Sequence, residues 1–295
     1  MTMPAILLPN SPPLDEEKAR FTSARIKVLE TKLVIYSDLE KLCGMSKDEL
    51  VGQIKLHHPW AASDPIKFRA QSYEILYKTA LDLSKESDTP DLYWFFVLPT
   101  VFVQLQSFLE GGFKPEIPVP GMKEFFDKND ENLLPTGLLE VFSKAKDVYA
   151  DGKQGEARRF LTAQLLEMLN SSRFCNKQYF KDFVSRWSFL VQLRLYVSSL
   201  MRKGSLQYVN PDLYDTPEEI LSQAKDLGIK NTSISGIELQ MENALFAHVK
   251  TARMSVAGFD VLFCYLFELT KEFEKIAELL AATTVKTDMR RACVA

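Results

Sequence analysis

The stretch RFCNKQYFKDFVSRWSFLVQLRLYVSSLMRK, residues 173–203, decides the fold class of this chain. At 100° per residue, Phe183, Trp187, Leu190 and Val197 fall within one arc, which is the pattern of an amphipathic helix. A strand would instead place every second residue on one face. The stretch therefore predicts a long α-helix.

The same three- and four-residue spacing of apolar residues extends over most of the chain from Asp15 onward. Capping boxes and prolines at first helical positions support these helices, because both satisfy or remove N–H groups that have no partner within the helix. The cap signals are Ser46–Glu49, Thr216–Glu219, Ser235–Glu238, Asp64-Pro65 and Thr89-Pro90. The predicted helices include one through Ile26–Leu39 and others over 138–150, 155–170, 176–202, 216–227 and 236–280. Together these features predict an all-α fold.

One apolar run, Leu92–Val103, has two interpretations. Its position after Thr89-Pro90 favours a helix, whereas its aromatic and β-branched triplets have strand character. The run is interrupted by Pro99 and is shorter than the roughly 18–20 residues that a membrane span requires. We therefore expect a buried core element and no membrane association.

Proline and glycine divide the chain into an extended arm, two helical lobes and a tail. Residues 1–14 contain four prolines and predict an extended N-terminal arm. Residues 15–111 form the predicted N-terminal helical lobe. Residues 112–137, rich in proline and glycine, are expected to be a hinge, and 138–280 the C-terminal helical lobe. Residues 281–295 lose the helical periodicity and predict a short tail.

The composition is that of a folded intracellular protein. The 295 residues are 46% apolar, with 36 Lys and Arg against 39 Asp and Glu, so the net charge is −3. This apolar content excludes a disordered chain. The four cysteines are scattered without a CxxC pair, which favours a reducing compartment. No basic segment precedes the first apolar run, so no signal peptide is expected and the predicted location is the cytoplasm or a virion.

The sequence nominates no enzyme, cofactor or metal site. The glycine motifs of dinucleotide-binding, P-loop and hydrolase proteins are absent. His57-His58 is expected to end a helix before Pro59, and Asp127–Asp130 to form a polar turn. Cys264 lies in a very apolar stretch and is predicted to be a buried thiol. We expect a protein that is not an enzyme and that binds no cofactor.

The positive signal lies again in residues 173–203. This stretch contains seven basic residues, one acidic residue and seven aromatic residues. Its local charge of +6 leaves −9 on the rest of the chain. Cations that neutralise phosphates, interleaved with rings on which bases stack, are what binding of single-stranded nucleic acid requires.

The helical phase selects individual residues. Arg186 and Arg194 fall inside the apolar arc, so each must be paired with an acidic side chain or must line a cleft that receives an anion. In the first case the aromatic residues belong to the core; in the second the cleft binds phosphates. Arg158-Arg159 and Lys250/Arg253 could extend such a cleft. The candidate RNA contacts are Arg186, Arg194, Lys177, Lys181, Trp187 and Tyr179.

Two short blocks carry a family resemblance. Arg173-Phe174-Cys175, then Tyr179-Phe180-Lys181, Val184 and Trp187, resembles a block in the coat proteins of flexible filamentous plant viruses. Further along, Ala257-Gly258-Phe259-Asp260 is similar to the Ala-Gly/Ala-Phe-Asp signature of the same family.

The resemblance implies a mostly helical protein that holds genomic RNA in a groove and links neighbouring subunits through extended arms. It also implies a structural salt bridge between Arg173 and Asp260 near that groove. We therefore expect a homo-oligomer that packages single-stranded RNA.

Two functions are predicted. The first is a viral nucleocapsid or capsid protein that binds single-stranded RNA without sequence preference and assembles through its arm. The alternative is a non-catalytic α-helical scaffold or adaptor, for which a proline-rich arm and 20 phenylalanines could provide a partner surface. Salt separates the two, because phosphate contacts weaken log-linearly with salt and apolar interfaces respond little.

Overall fold

The protein is all-α over the part of the chain that its computed structural model describes, which is residues 14–33, 41–203, 222, 224–226, 228 and 234–282. No β-strand occurs within these ranges. The fold class predicted from the helical periodicity is confirmed. The arm before Leu14, the tail beyond 282 and most of the helix predicted over 216–227 lie outside the described residues.

Most of the described chain is helical. Within the described ranges, three 3₁₀ turns lie between helices: Glu131–Leu133, Arg173–Asn176 and Thr251–Met254. In chain order the helices are α1 (Glu16–Glu30), α2 (Lys47–His57), α3 (Pro65–Glu86), α4 (Pro90–Gly111), α5 (Lys123–Lys128), α6 (Thr136–Ala150), α7 (Gln154–Asn170), α8 (Gln178–Lys203), α9 (Ile234–Lys250) and α10 (Phe259–Ala282).

Local cap signals locate the helix starts well. Ser46 and Glu49 form the predicted capping box: the Ser46 N–H donates to Glu49 Oε2 at 2.9 Å, and the Glu49 N–H donates to Ser46 Oγ at 3.4 Å. The helix then ends before Pro59, as expected. Asp64 caps α3, with Pro65 in the first turn. Helix α9, however, begins one residue ahead of the predicted capping box over 235–238.

The apolar run Leu92–Val103 is helical and belongs to α4. Pro99 lies inside this helix, and Gly112, with φ of +63°, ends it in the left-handed conformation that glycine adopts without strain. Helix α4 is long and apolar enough to cross a membrane by length and composition, and 56% of that apolar window is buried within the structure. It packs against α3 and α10.

The single helix predicted over 236–280 is wrong. Helix α9 ends at Lys250, a 3₁₀ turn comes next, and α10 starts at Phe259. The break centres on Gly258, whose φ is +141° and whose N–H donates to Ser23 Oγ of α1 at 3.1 Å. The sequence spacing could not reveal this break, because the group that holds it lies 235 residues away.

The chain forms two compact units that divide it differently from the predicted lobes. Unit 1 contains residues 15–140 and 256–282, and unit 2 contains 141–255 among the described parts of the chain. Helix α10 therefore belongs with the N-terminal helices and not with the 138–280 lobe. The physical reason is its broad apolar face, which packs against α1 and α3.

The segment predicted as a hinge, residues 112–137, is held against α4 in unit 1. The Gln104 amide N–H donates to the Ile117 carbonyl at 2.9 Å, and the Val119 N–H donates to Gln104 Oε1 at 3.1 Å. The Tyr93 hydroxyl donates to the Pro120 carbonyl at 3.1 Å. Apolar side chains anchor the rest of the segment, and the buried ones are Val119, Met122, Phe125, Phe126 and Leu134. The segment therefore packs within unit 1, and its role as a hinge stays a prediction.

The two histidines before Pro59 end helix α2, as predicted. His58 is the C-cap residue, and its Nε2 lies 2.5 Å from Glu272 Oε1 of α10. Both side chains are buried, and the His58 ring contacts the rings of Trp60 and Phe273 at centroid distances of 5.4 Å. The contact between His58 and Glu272 therefore joins the end of α2 to α10 within unit 1.

Candidate nucleic-acid interface

Unit 2 contains the basic and aromatic stretch that the sequence singled out. Ser172 caps the 3₁₀ turn Arg173–Asn176, and α8 begins directly after it. Helix α8 packs against α7, to which a short connection joins it, and against α9. This arrangement places the candidate residues on one helix of the unit, except Lys177, which is the C-cap of the 3₁₀ turn.

Positive charge is concentrated in the same unit. Residues 141–255 carry sixteen Lys and Arg against twelve Asp and Glu, which gives +4. The remaining residues carry 20 Lys and Arg against 27 Asp and Glu, which gives a net charge of −7. By net charge, unit 2 is therefore the more favourable of the two for an anion.

Arg186 is the most informative side chain on α8. It is half-buried, and it comes after the buried Phe183 and before the buried Leu190 on the helix. Within the described part of the chain, its guanidinium makes neither an ion pair nor a hydrogen bond. The acidic partner that one interpretation of the sequence required is thus not found among these residues.

The two candidate lysines differ in their surroundings. Lys181 is exposed, whereas Lys177 is half-buried and has a partner within the structure. Cys175 lies close to Lys181, and its thiol donates to the Leu169 carbonyl at 3.1 Å. Burial raises the pKa of Cys175 to about 11, and the Lys181 charge opposes that shift. A raised pKa disfavours a reactive role for this thiol, since only the thiolate is a strong nucleophile.

Tyr179 is held in place by helix α9. Its ring stacks on His248 with centroids 4.9 Å apart, and its hydroxyl donates to the Val249 carbonyl at 3.0 Å. The His248 Nε2–H in turn donates to the Tyr179 carbonyl at 2.9 Å. One ring face is therefore covered by imidazole. Sequence reasoning missed this contact, because the two residues are 69 positions apart and neither has a local signal for the other.

The other aromatic residues of the stretch divide into core and boundary. Trp187 is half-buried and, within the described residues, contacts no other aromatic ring. The buried members of the stretch are Phe174, Phe180, Phe183 and Phe189. Four of the seven aromatic residues are thus part of the core, and the side chain of Tyr196 lies outside the described residues. Among the described aromatic residues of the stretch, Trp187 is the stacking candidate whose ring is not covered by another ring.

The remaining sequence candidates lie at several places in the two units. Arg194 lies within α8, but its side chain is outside the described residues. Arg173 is half-buried in the 3₁₀ turn of unit 2, and Asp260 is half-buried in the first turn of α10 in unit 1. Their salt bridge stays a prediction. Arg158 and Arg159 are half-buried on α7, and each has a partner within the structure.

The described residues contain no group of three or more His, Cys, Asp or Glu that could hold a metal ion. Cys264 is buried in α10, as predicted.

No protein-family model matches the chain, and no curated protein matches it at a significant level. The resemblance to filamentous-virus coat proteins stays a prediction made from the residues.

Proposed function

We propose that the protein is a nucleocapsid or coat-type protein that binds single-stranded RNA through unit 2 and assembles with further copies through its N-terminal arm. The observation that carries this proposal is Arg186, a half-buried guanidinium on an apolar helix face that has no carboxylate partner among the described residues. A cation in that environment is costly unless an anion compensates it. A phosphate of the RNA backbone supplies that anion.

Trp187, Lys181 and Lys177 complete the proposed contact surface. Trp187 is the next residue after Arg186 and offers a ring for base stacking, which contributes roughly 1–3 kcal/mol per base in such proteins. The lysines contact phosphates at the edge. None of these contacts reads a base edge, so binding is expected to tolerate any sequence.

The modest charge of unit 2 predicts modest affinity for each subunit. With only a few phosphates neutralised, the salt dependence of a single subunit is shallow. Copies that bind side by side on one strand act together, and the effective concentration of each neighbour raises the overall affinity. The arm, residues 1–14, would link those copies.

The experiment is a fluorescence-anisotropy titration of a labelled single-stranded RNA at several salt concentrations, with Arg186→Gln as the test variant. Arg69→Gln is the matched control, because Arg69 is also an arginine without an ion pair among the described residues, but it lies in unit 1. We expect Arg186→Gln to weaken binding about tenfold or more and Arg69→Gln to leave it unchanged. Equal effects of the two variants would contradict the assignment.

The scaffold alternative predicts a different pattern. No RNA binding at low salt, together with capture of a protein partner that salt does not displace, would favour it. Deletion of residues 1–14 tests the arm separately: the subunit should still fold, and assembly on RNA should be lost. Polymers formed without these residues would refute arm-mediated assembly.

A further inference from the structure

Helix α1 has two faces with opposite surroundings. Its inner face contains Ala19, Ser23 and Ile26, which are fully buried because α1 packs on α10 and α3. Its outer face contains Phe21 and Val28, which expose 79% and 62% of their surface to solvent. A phenylalanine and a valine two helical turns apart on one exposed face form a stripe that water solvates poorly.

The outer face is continued by small and charged residues. Ala24 lies between Phe21 and Val28, also exposed, and gives a second helix room to approach closely. Glu17 lies one turn before Phe21, and Lys32 lies just beyond the end of the helix. Both are exposed; among the described residues the Glu17 carboxylate pairs only with Arg20, at 3.6 Å, and Lys32 has no ion pair.

We propose that this outer face, defined by Glu17, Phe21, Ala24, Val28 and Lys32, binds the same face of α1 in a second copy of the chain, with the two helices antiparallel. A two-fold axis between positions 24 and 25 places Phe21 opposite Val28 of the second copy, and Val28 opposite its Phe21. The same register brings Glu17 near Lys32, which follows the C-cap Thr31, at both ends. The face is therefore complementary to itself in both shape and charge, as a two-fold interface requires.

The size of the contact determines how it acts. Helix α1 has 15 residues and is about 22 Å long, so one face about 10 Å wide offers roughly 200 Å² to a partner. This area is well below the roughly 800 Å² per partner of a standard stable interface. The contact is accordingly weak and reversible between two free subunits, and it gains strength where many subunits are already close together. It requires neither RNA nor the N-terminal arm.

The test is sedimentation velocity of the RNA-free full-length chain from micromolar to millimolar concentration. Wild-type protein is expected to show a rise in average mass with concentration. Val28→Glu should weaken this association roughly tenfold or more, because it buries a charge without a partner. Val103→Glu is the matched control: Val103 is also 62% exposed on a helix, but that helix is α4 and not α1.

Charge exchange gives the decisive comparison. Glu17→Lys alone and Lys32→Glu alone should each weaken association, because each places like charges opposite one another. The double variant Glu17→Lys/Lys32→Glu should restore it, since every pair is again opposite in sign. A thermal melt of each variant shows that α1 remains folded. A chain that stays monomeric at millimolar concentration, equal effects of the two valine variants, or failure of the double exchange to restore association would overturn the proposal.

Discussion

Replacement of Gln104 by alanine tests how residues 112–122 are held. The variant removes the side chain that accepts from the buried Val119 N–H and donates to the Ile117 carbonyl. A buried N–H left without a partner costs roughly 1–3 kcal/mol, and loss of the bond to the less buried carbonyl adds about 0.5–1.5 kcal/mol. We therefore expect the free energy of unfolding of unit 1 to fall by about 2–4 kcal/mol.

Urea denaturation monitored by tryptophan fluorescence measures this change. Only three tryptophans exist, and Trp187→Phe as a background leaves Trp60 and Trp94, both in unit 1, as reporters. The midpoint should fall while the slope with urea stays constant. Gln106→Ala, two residues along the same helix, is the matched control, because among the described residues the Gln106 side chain bonds only Glu110 of its own helix.

Native-state hydrogen exchange gives a local measurement of the same effect. The Val119 amide should be protected in the wild type and should exchange faster in Gln104→Ala. A loss below about 0.5 kcal/mol together with unchanged exchange at Val119 would refute this account of the segment, and a true hinge would then fit better.

Single positions give three further predictions. Gly258→Ala should destabilise unit 1 by about 1–3 kcal/mol, because φ there is +141° and an added Cβ would approach an oxygen of Asp260. Gly52→Ala is the contrast: this position lies in open space on α2, so the variant should stabilise unit 1 by about 0.5–1 kcal/mol. Urea denaturation measures both changes. The hydrogen bonds from Ser46 hold the pKa of Glu49 below its usual value. The wild type should therefore be more stable than Glu49→Gln at neutral pH, and this difference should disappear as the pH falls through the lowered pKa. Melting temperatures of both proteins across acidic pH test this. Cys175, with a pKa of about 11, should react with iodoacetamide at about pH 8 more slowly in the folded than in the unfolded chain, and equal rates by peptide mass spectrometry would contradict the raised pKa.

Several features of the fold could be predicted because their causes are local. The capping box at Ser46, the start of α3 at Asp64-Pro65 and the end of α2 before Pro59 each depend on residues within one helical turn. The helical period of residues 173–203 also survives as α8. Caps and periodicity act through neighbours along the chain, so the sequence carries their full signal.

The candidate site was predictable only in part, for the same reason. Sequence phase correctly placed Arg186 beside apolar neighbours on α8. The sequence phase could not predict that Tyr179 stacks on and hydrogen-bonds to His248, since that contact joins two helices far apart in the chain. Whether an arginine on a helix pairs with a carboxylate depends on which other helix packs beside it. The periodicity of one helix carries no information about the helix that packs against it.

The amino-acid sequence by itself determined that this protein is helical, where most helices begin, and which stretch concentrates cations and rings. Tertiary structure alone decided that α10 joins the N-terminal helices, that Gly258 breaks the last helical stretch against Ser23, and that Gln104 fastens the proline-rich segment. The physical reason is the range of the interactions. Caps and helical faces are set within a few residues, whereas these contacts join groups that only the folded chain brings together.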